Sequence, residues 1–363
     1  MQQTTTIERQ TNDAASARPL VTVVIPGYNE AAILHRNVGE IIDYLDTLAD
    51  RYRFELLLIN DGSSDETGKI AEQLSREFAN VSVIHHPSNF GLGQAFKTAF
   101  AASRGDYLVT IDADLSYAPQ TIGALLEAVT RKGTKLVLAS AYMKGGKVSH
   151  VPPLRHWLSR LGNRMFALLI GNRHSTFTCM VRAYDGPFIR ALEPKSEGMG
   201  IMPEIVYKTM ILGGRIDEIP AHLDWSRQLA DGPVRTSSMR LLSHIASTLV
   251  SGFVLRPFVL LVVPGLLVMM FSLYVNFWVA FELWGAMGRT GNAMAEAAAL
   301  LFREHPATML IGLLSLLLAI QLIGLGALSL QAKKYYEETY FQFVRLRRQV
   351  RELGASIDEG HDS

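Results

Sequence analysis

Residues 308–330 contain no charged side chain, and residues 255–281 carry only one, Arg256, at their start. A helix needs roughly 20 apolar residues to cross the hydrocarbon layer of a bilayer, and both stretches exceed that. Inside that layer each backbone N–H and C=O must be bonded within the chain, so a single spanning segment is helical. Two buried core helices are the competing reading, but uncharged runs of this length argue against it. The chain is therefore expected to span a membrane twice, at about 255–281 and 308–330.

Flanking charge sets the expected orientation. Arg235, Arg240 and Arg256 stand before the first span, and Lys333, Lys334, Arg345, Arg347, Arg348 and Arg351 follow the second. The loop 282–307 has Arg289 and Arg303 against Glu282, Glu296 and Glu304. Lys and Arg concentrate on the cytoplasmic side, which places both termini and the N-terminal domain there, with Tyr274, Trp278 and Trp284 suited to the far interface. Residues 239–250 have apolar side chains at helical spacing and read as a helix lying in the interface; a plain linker helix competes. Residues 335–353 are amphipathic and Arg-rich, fit for anionic headgroups or for pairing with a second subunit, so a homo-oligomer stays open. The expected plan is a disordered tail (1–19), a folded domain (20–235), a juxtamembrane helix (236–253), the two spans with their loop (254–331), and a C-terminal helix and tail (332–363).

Composition removes other classes. A chain of 363 residues has room for a domain of about 200 residues before the spans. A net charge of +1 gives no case for nucleic acid as a partner, and no basic stretch is interleaved with stacking aromatics. Cys179 stands alone, which rules out an internal disulfide and a Cys-based zinc site. Residues 1–19 are polar without an apolar core, so no secretory signal is visible.

The N-terminal domain alternates apolar runs with helical patterns. Residues 21–26 are β-branched and close on Gly27-Tyr28-Asn29-Glu30 before a helical pattern over 33–48. Residues 54–59 end in Asn60-Asp61-Gly62-Ser63-Ser64-Asp65, where Ser64 or Asp65 is placed to cap the next helix. Residues 81–86 lead into Asn89-Phe90-Gly91-Leu92-Gly93 and a helix through Ala102; residues 107–111 run into Asp112-Ala113-Asp114. Such alternation predicts an α/β fold with a mostly parallel sheet. Its ligands belong at the carboxyl ends of the strands. Tyr28, Glu30, Asp61, Gly91, Gly93, Asp112 and Asp114 all fall there and are expected to share one crevice. Alone, Asp112 and Asp114 read equally as a surface turn. In that company they read as a grip for Mg²⁺ or Mn²⁺, which take oxygen ligands and are often held by one or two carboxylates plus substrate phosphates.

V-T-V-V-I-P-G-Y-N-E, I-N-D-G-S-S-D-E-T, N-F-G-L-G-Q-A and I-D-A-D-L, in this order and spacing, resemble family 2 glycosyltransferases with the GT-A fold. More narrowly, they resemble the polyprenyl- and dolichyl-phosphate mannose or glucose synthases. The likeness runs over about 20–227. It departs at Gly27, Asn60 and Leu92, where the family has Thr, Asp and Lys.

The resemblance implies a donor pocket shaped by Pro26, Tyr28, Glu30, Asp61, Gly91, Gly93 and Asp112, with Tyr28 bordering the nucleobase and Asp61 accepting from a ring N–H. It implies Asp112 and Asp114 as ligands of the divalent cation, with Ser116 standing where some relatives carry Gln. It places acceptor-phosphate contacts at Arg155, Ser159, Arg160 and Asn163, and at Arg227. The family's later Ser-Lys pair falls on Ser237-Ser238, so Arg240 is left to supply the missing charge. Glu204 stands where the family has a glutamate facing the site, and a capping role competes with sugar binding. Arg182 is expected to hold its loop, and His85, His86 and His150 to be surface or loop residues.

The reaction then expected is inverting transfer of a hexose, mannose or glucose, from a nucleoside-diphosphate sugar to a polyprenyl phosphate, with Asp114 and Arg227 as catalytic residues. A lipid phosphate is already an anion, so the acceptor needs cations to position it rather than a general base. A bacterial or archaeal inner membrane is the expected location. A glycolipid or polysaccharide synthase is the alternative, although no Q-x-x-R-W is present, and a catalytically silent membrane scaffold is another.

Overall fold

A computed structural model describes residues 18–170, 174–230, 261–290 and 293–359. Two compact units emerge, Met1–Thr248 with Val344–Ser363, and Leu249–Phe343.

The first unit is a seven-stranded sheet in the order β3-β2-β1-β4-β7-β5-β8. Its strands are β1 (Leu20–Gly27), β2 (Arg53–Asn60), β3 (Val81–His85), β4 (Tyr107–Thr110), β5 (Thr134–Ser140), β7 (Arg182–Asp185) and β8 (Arg215–Pro220). A separate two-stranded sheet pairs β6 (Lys147–Ser149) with β9 (His222–Asp224). The helices are α1 (Leu34–Asp46), α2 (Thr67–Glu77), α3 (Leu92–Ala102), α4 (Gln120–Val129), α5 (Pro153–Ile170), α6 (Gly186–Leu192), α7 (Ile201–Ile211) and α8 (Ser226–Ala230). The sheet is parallel through β1–β4 and between β5 and β8; β7 runs antiparallel between β4 and β5. The expected mostly parallel sheet is present, with one reversed strand.

The local chemistry accounts for these elements. Val21, Val23, Val24 and Ile25 are all buried, as strands covered on both faces require. On α1, Leu34, Val38, Ile41, Ile42 and Leu45 make one apolar stripe against the core, with buried Asn37 among them. The helix expected after residue 65 starts at Thr67 with Glu66 at its N-cap, without a side-chain cap. Asp65, one of the two expected caps, stands one residue earlier and still serves the helix start: its Oδ1 accepts from the Thr67 amide at 3.0 Å while its Oδ2 accepts from the Ala31 amide at 3.2 Å.

The second unit holds α9 (Val263–Arg289), α10 (Met294–Glu304) and most of α11 (Pro306–Glu359). Two helices here are long and apolar enough to cross a membrane. Leu267, Met270, Phe277, Leu313, Leu317 and Leu328 are exposed on them, unlike the side chains of a core helix. The Ser272 hydroxyl and the Asn276 amide both donate to the Gly312 carbonyl, at 3.2 and 3.0 Å, joining α9 to α11 through the small-residue and polar contacts usual between spans.

Three boundaries differ from expectation. α9 continues past Phe281 to Arg289. The loop 282–307 contains α10. The second span and the C-terminal amphipathic segment form one helix of 54 residues, because Gln331-Ala332-Lys333-Lys334 are good helix formers without Gly or Pro to stop the turn. The expected juxtamembrane helix at 239–250 lies outside the described residues.

Candidate active site

The carboxyl ends of β1, β2, β3 and β4 bring the sequence-predicted acids to one edge of the sheet. Pairing of β1 with β4 stops at Val24 and Thr110, with a last bond from the Ile111 amide to the Val24 carbonyl at 3.1 Å, so residues 112–114 leave the ladder as a loop. Leu115 has a left-handed φ of 49° and the Asp114 Oδ1 accepts from the Ser116 amide at 2.8 Å, which closes this loop into a tight turn. The Asn37 side chain donates to the Ala113 carbonyl at 2.8 Å, so a buried polar residue of α1 pins the turn between the two acids. That role was missed in the sequence, although an Asn inside an apolar helical stripe is its signal.

Burial first, and then the charges of Asp114 and Glu30, push the Asp112 carboxyl well above the ordinary carboxylate range; a hydrogen bond with Ser116 opposes them. Among the described residues no group of three or more His, Cys, Asp or Glu is arranged to hold a metal. Asp112 and Asp114 nevertheless supply the hard oxygen donors that a Mg²⁺- or Mn²⁺-type ion takes, one or two carboxylates with the rest of its shell coming from substrate phosphate. The other Asp114 oxygen, Oδ2, accepts from the Gln228 side chain. Gln228 was not singled out from sequence. It arrives because the Asp224 amide donates to the Ser116 carbonyl at 2.9 Å and the Trp225 amide to the Ser149 carbonyl at 3.2 Å, which sets α8 against the Asp112–Asp114 turn.

The loops after β1 and β2 are bonded to each other. The Asn29 amide donates to Ser63 at 3.0 Å, the Glu30 amide to the Thr67 hydroxyl at 2.8 Å, and the Ser64 amide to the Asn29 side chain at 2.9 Å. Asn29 takes a left-handed φ of 56°, which Asn tolerates. Tyr28 is left exposed beside them, and Pro26 pairs in register with Ile59 at the end of β1. Asp61 is buried, and its carboxylate accepts from the His86 ring at 2.7 Å and from the amides of Phe90 and Gly91 at 3.0 and 2.8 Å.

Gly91 and Gly93 make a close backbone approach, and in this structure it is to the chain itself. Gly91 has φ 91°, and a Cβ on Gly93 would lie 2.3 Å from the Ser196 carbonyl oxygen. The Gly93 amide donates to the Glu197 carbonyl at 2.7 Å. Glu204 holds that same segment, accepting from the Lys195 and Ser196 amides at 2.8 Å each and pairing with buried Lys208 at 2.8 Å. Burial pulls the Glu204 carboxyl upward, but the bonds from Lys208, Ser196 and Lys195 outweigh it and hold it below the ordinary glutamate value. The buried Arg182 guanidinium donates to the carbonyls of Cys179, Met202 and Phe177, at 2.7, 2.8 and 2.6 Å, which is the geometry of a loop holder.

The basic residues are placed differently. Arg155 and Arg160 lie exposed on α5, and the Arg155 guanidinium stacks 4.3 Å from the Trp225 ring centroid. Ser159 is half-buried on the same helix. Asn163 is buried and structural: it accepts from the Phe177 amide at 2.7 Å and donates to the Ser159 carbonyl at 2.9 Å. Arg227 bonds both oxygens of Glu40, at 3.0 and 2.8 Å. Arg240 lies outside the described residues, as do Arg235, Ser237 and Ser238.

A mostly parallel α/β sheet with two acids at the carboxyl end of an inner strand, followed by two helices apolar enough to cross a membrane, is a GT-A-like domain with two candidate spans. Residues 22–186 match the family model described as glycosyl transferase family 2. An undecaprenyl-phosphate mannosyltransferase of Micrococcus luteus is 32% identical over 206 residues, covering 55% of this chain and 82% of that protein. A polyprenol monophosphomannose synthase of Mycolicibacterium smegmatis is 31% identical over 217 residues, 57% of this chain and 79% of that protein. Among solved structures, a glucosyl-3-phosphoglycerate synthase of Mycobacterium tuberculosis with Mn²⁺ and UDP-glucose superimposes at TM-score 0.49 and 21% identity, over 66% of this chain and 80% of that one. The chain belongs to glycosyltransferase family 2.

Proposed function

We propose that this enzyme transfers one hexose from a nucleoside-diphosphate sugar to a polyprenyl phosphate, with inversion, at the cytoplasmic face of the membrane. The observation that carries the reading is the placement of Asp112 and Asp114 after β4 and of Glu30 after β1, its parallel neighbour, in a chain with two helices apolar enough to span. The names of the two mannosyl-transferring relatives support mannose as the first sugar to try.

In this reading Tyr28 and Asp61 receive the base, Pro26 and Glu30 border it, and the loop at Gly91 and Gly93 walls the donor pocket. Asp112 and Asp114 would hold the divalent cation, which offsets negative charge on the leaving diphosphate when bound. Arg155, Ser159 and Arg160 on α5 orient the acceptor phosphate, and Arg227 joins them by exchanging Glu40 for phosphate. Guanidinium groups suit this work because their planar fork of donors matches phosphate oxygens. A phosphate oxygen attacks the anomeric carbon as its bond to the diphosphate breaks. The nucleophile is already ionised, so no side chain has to take a proton from it.

The proposed layout places residues 20–235 as the catalytic domain and both termini in the cytoplasm, which follows from the Lys and Arg bias around the spans. Proteoliposomes carrying the full chain, incubated with labelled UDP- and GDP-hexoses and undecaprenyl or dolichyl phosphate, test the reading. An EDTA-sensitive, acid-labile glycolipid is expected. Absence of such a product with every donor would overturn it, and protease protection of residues 20–230 in right-side-out vesicles checks the face.

A further inference from the structure

We infer that His86 is a positioning residue of the donor site, acting through Asp61. His85, the last residue of β3, and His86, the first after it, have opposite fates. His85 is exposed and bonds Asn60 and Glu72, at 2.9 Å each. His86 turns inward, and its side chain and that of Asp61 are 8% and 6% exposed. Because a carboxylate only accepts, the His86 Nδ1 carries the proton in its 2.7 Å bond to Asp61 Oδ1. Nε2 bonds the Thr98 hydroxyl on α3 at 2.9 Å, and the Gln94 amide reaches that hydroxyl at 3.5 Å. The His86 backbone amide donates to the Asn60 carbonyl at 2.9 Å, which fixes the ring's origin against β2.

These bonds leave Asp61 with a defined remainder. A carboxylate offers about four acceptor positions. Oδ1 takes His86 and the Phe90 amide, and Oδ2 takes the Gly91 amide. One position is left, on Oδ2. His86 thus sets the rotation of the carboxylate: it keeps Oδ1 committed and leaves, among the described residues, one lone pair of Oδ2 open. The Phe90 ring, 5.4 Å from the His86 ring and half exposed, is held at the same mouth. The inference rests on the reading that the donor's base meets Asp61, and it adds that the base's ring N–H is received by one oxygen whose direction His86 controls.

Two substitutions separate the two ring nitrogens. In His86→Asn the amide nitrogen falls where Nδ1 stands and keeps Asp61; in His86→Gln it falls where Nε2 stands and keeps only Thr98. With the full chain in nanodiscs, calorimetric titration of UDP and GDP and a donor KM series are the readouts. His86→Gln is expected to weaken nucleotide binding and raise donor KM about tenfold, the scale of one lost bond to a charged group. Acceptor KM and kcat should hold. His86→Asn should stay within about twofold of the wild type. Equal losses in the two variants, or no loss in His86→Gln, would overturn the assignment. Asp61→Asn separates the layers. If it weakens nucleotide binding while His86→Gln does not, the His86 role fails alone. If Asp61→Asn leaves nucleotide binding intact, the base reading fails and takes the His86 role with it. Should the His86 variants not fold, Thr98→Val carries the test, with a loss of about threefold expected and unchanged affinity overturning it.

Discussion

The two sides of the proposed site differ in how much of their bonding the protein already satisfies. On the side proposed for the donor, the loops after β1, β2 and β3 bond one another through Asn29, Ser63, Thr67, Asp61 and His86, and most of these groups are buried or half-buried. On the side proposed for the acceptor, Arg155, Arg160 and Arg227 are exposed, and the partners seen are an indole face for Arg155 and a surface carboxylate for Arg227. A pre-bonded site has little left to order when its ligand arrives, whereas loosely held side chains lose rotamer freedom on binding. In the proposed reading, donor recognition is built into the folding of the α/β domain. Acceptor recognition, in the same reading, is completed by the phosphate itself.

Breaking the pre-built side should have the largest effect. Asp114→Asn is expected to lower kcat about a thousandfold, the scale of several kcal/mol of lost charge stabilisation, in single-turnover assays with saturating donor and acceptor. Removing divalent cations with EDTA should give a comparable loss in the wild type, restored by Mn²⁺ or Mg²⁺. A residual rate above a tenth of the wild type would move the metal grip away from this pair.

Glu204 tests whether the pre-built side is a stability device as well. Glu204→Ala takes the paired carboxylate away from the buried Lys208 ammonium, and should cost about 3 kcal/mol by denaturant titration. The pH dependence has a definite sign. A carboxyl held below its unfolded pKa contributes stability above that value and loses it as pH falls through the folded one. The wild type should therefore lose stability on acidification below the ordinary glutamate range, and Glu204→Gln should flatten that loss. An unchanged acid limb would show that other carboxylates control it.

This contrast also explains what the sequence made legible. The strands 21–26, 54–59 and 81–86, the helix ending at Ala102 and the shared strand-end edge were readable because apolar runs alternate with helical periods and turn residues mark each end. The two apolar helices were readable from charge alone. β7 was not, because four residues, Arg182–Asp185, with a fully buried Arg look nothing like a strand until Arg182 is seen to donate to three carbonyls. Asn37 and Gln228 were missed because their partners, Ala113 and Asp114, are far off in sequence and no local pattern points to them. The same distance hid the approach of Gly93 to Ser196.

On the acceptor side, Arg155→Ala should raise acceptor KM about tenfold, the scale of a bond to a charged group, with nucleotide affinity unchanged. Arg155→Lys should recover only part of it, since a point charge replaces a planar fork that also stacks on Trp225. Loss of donor binding in Arg155→Ala would dissolve the division between the two sides.

The smallest expected effect is the most discriminating. Arg227 and Glu40 are 43% and 37% exposed at their side chains, so their bond contributes at most about 1 kcal/mol. Glu40→Gln should therefore barely move the melting temperature. It leaves an amide where a carboxylate stood and so weakens the hold on the guanidinium without removing Arg227. If Arg227 exchanges this partner for the acceptor phosphate, acceptor KM should fall about twofold, the scale of a surface ion pair no longer competing, and Arg227→Ala should raise it. If Glu40→Gln leaves acceptor KM unchanged while Arg227→Ala lowers only stability, Arg227 belongs to the fold. The phosphate then rests on Arg155, Ser159 and Arg160, and the acceptor side is confined to α5.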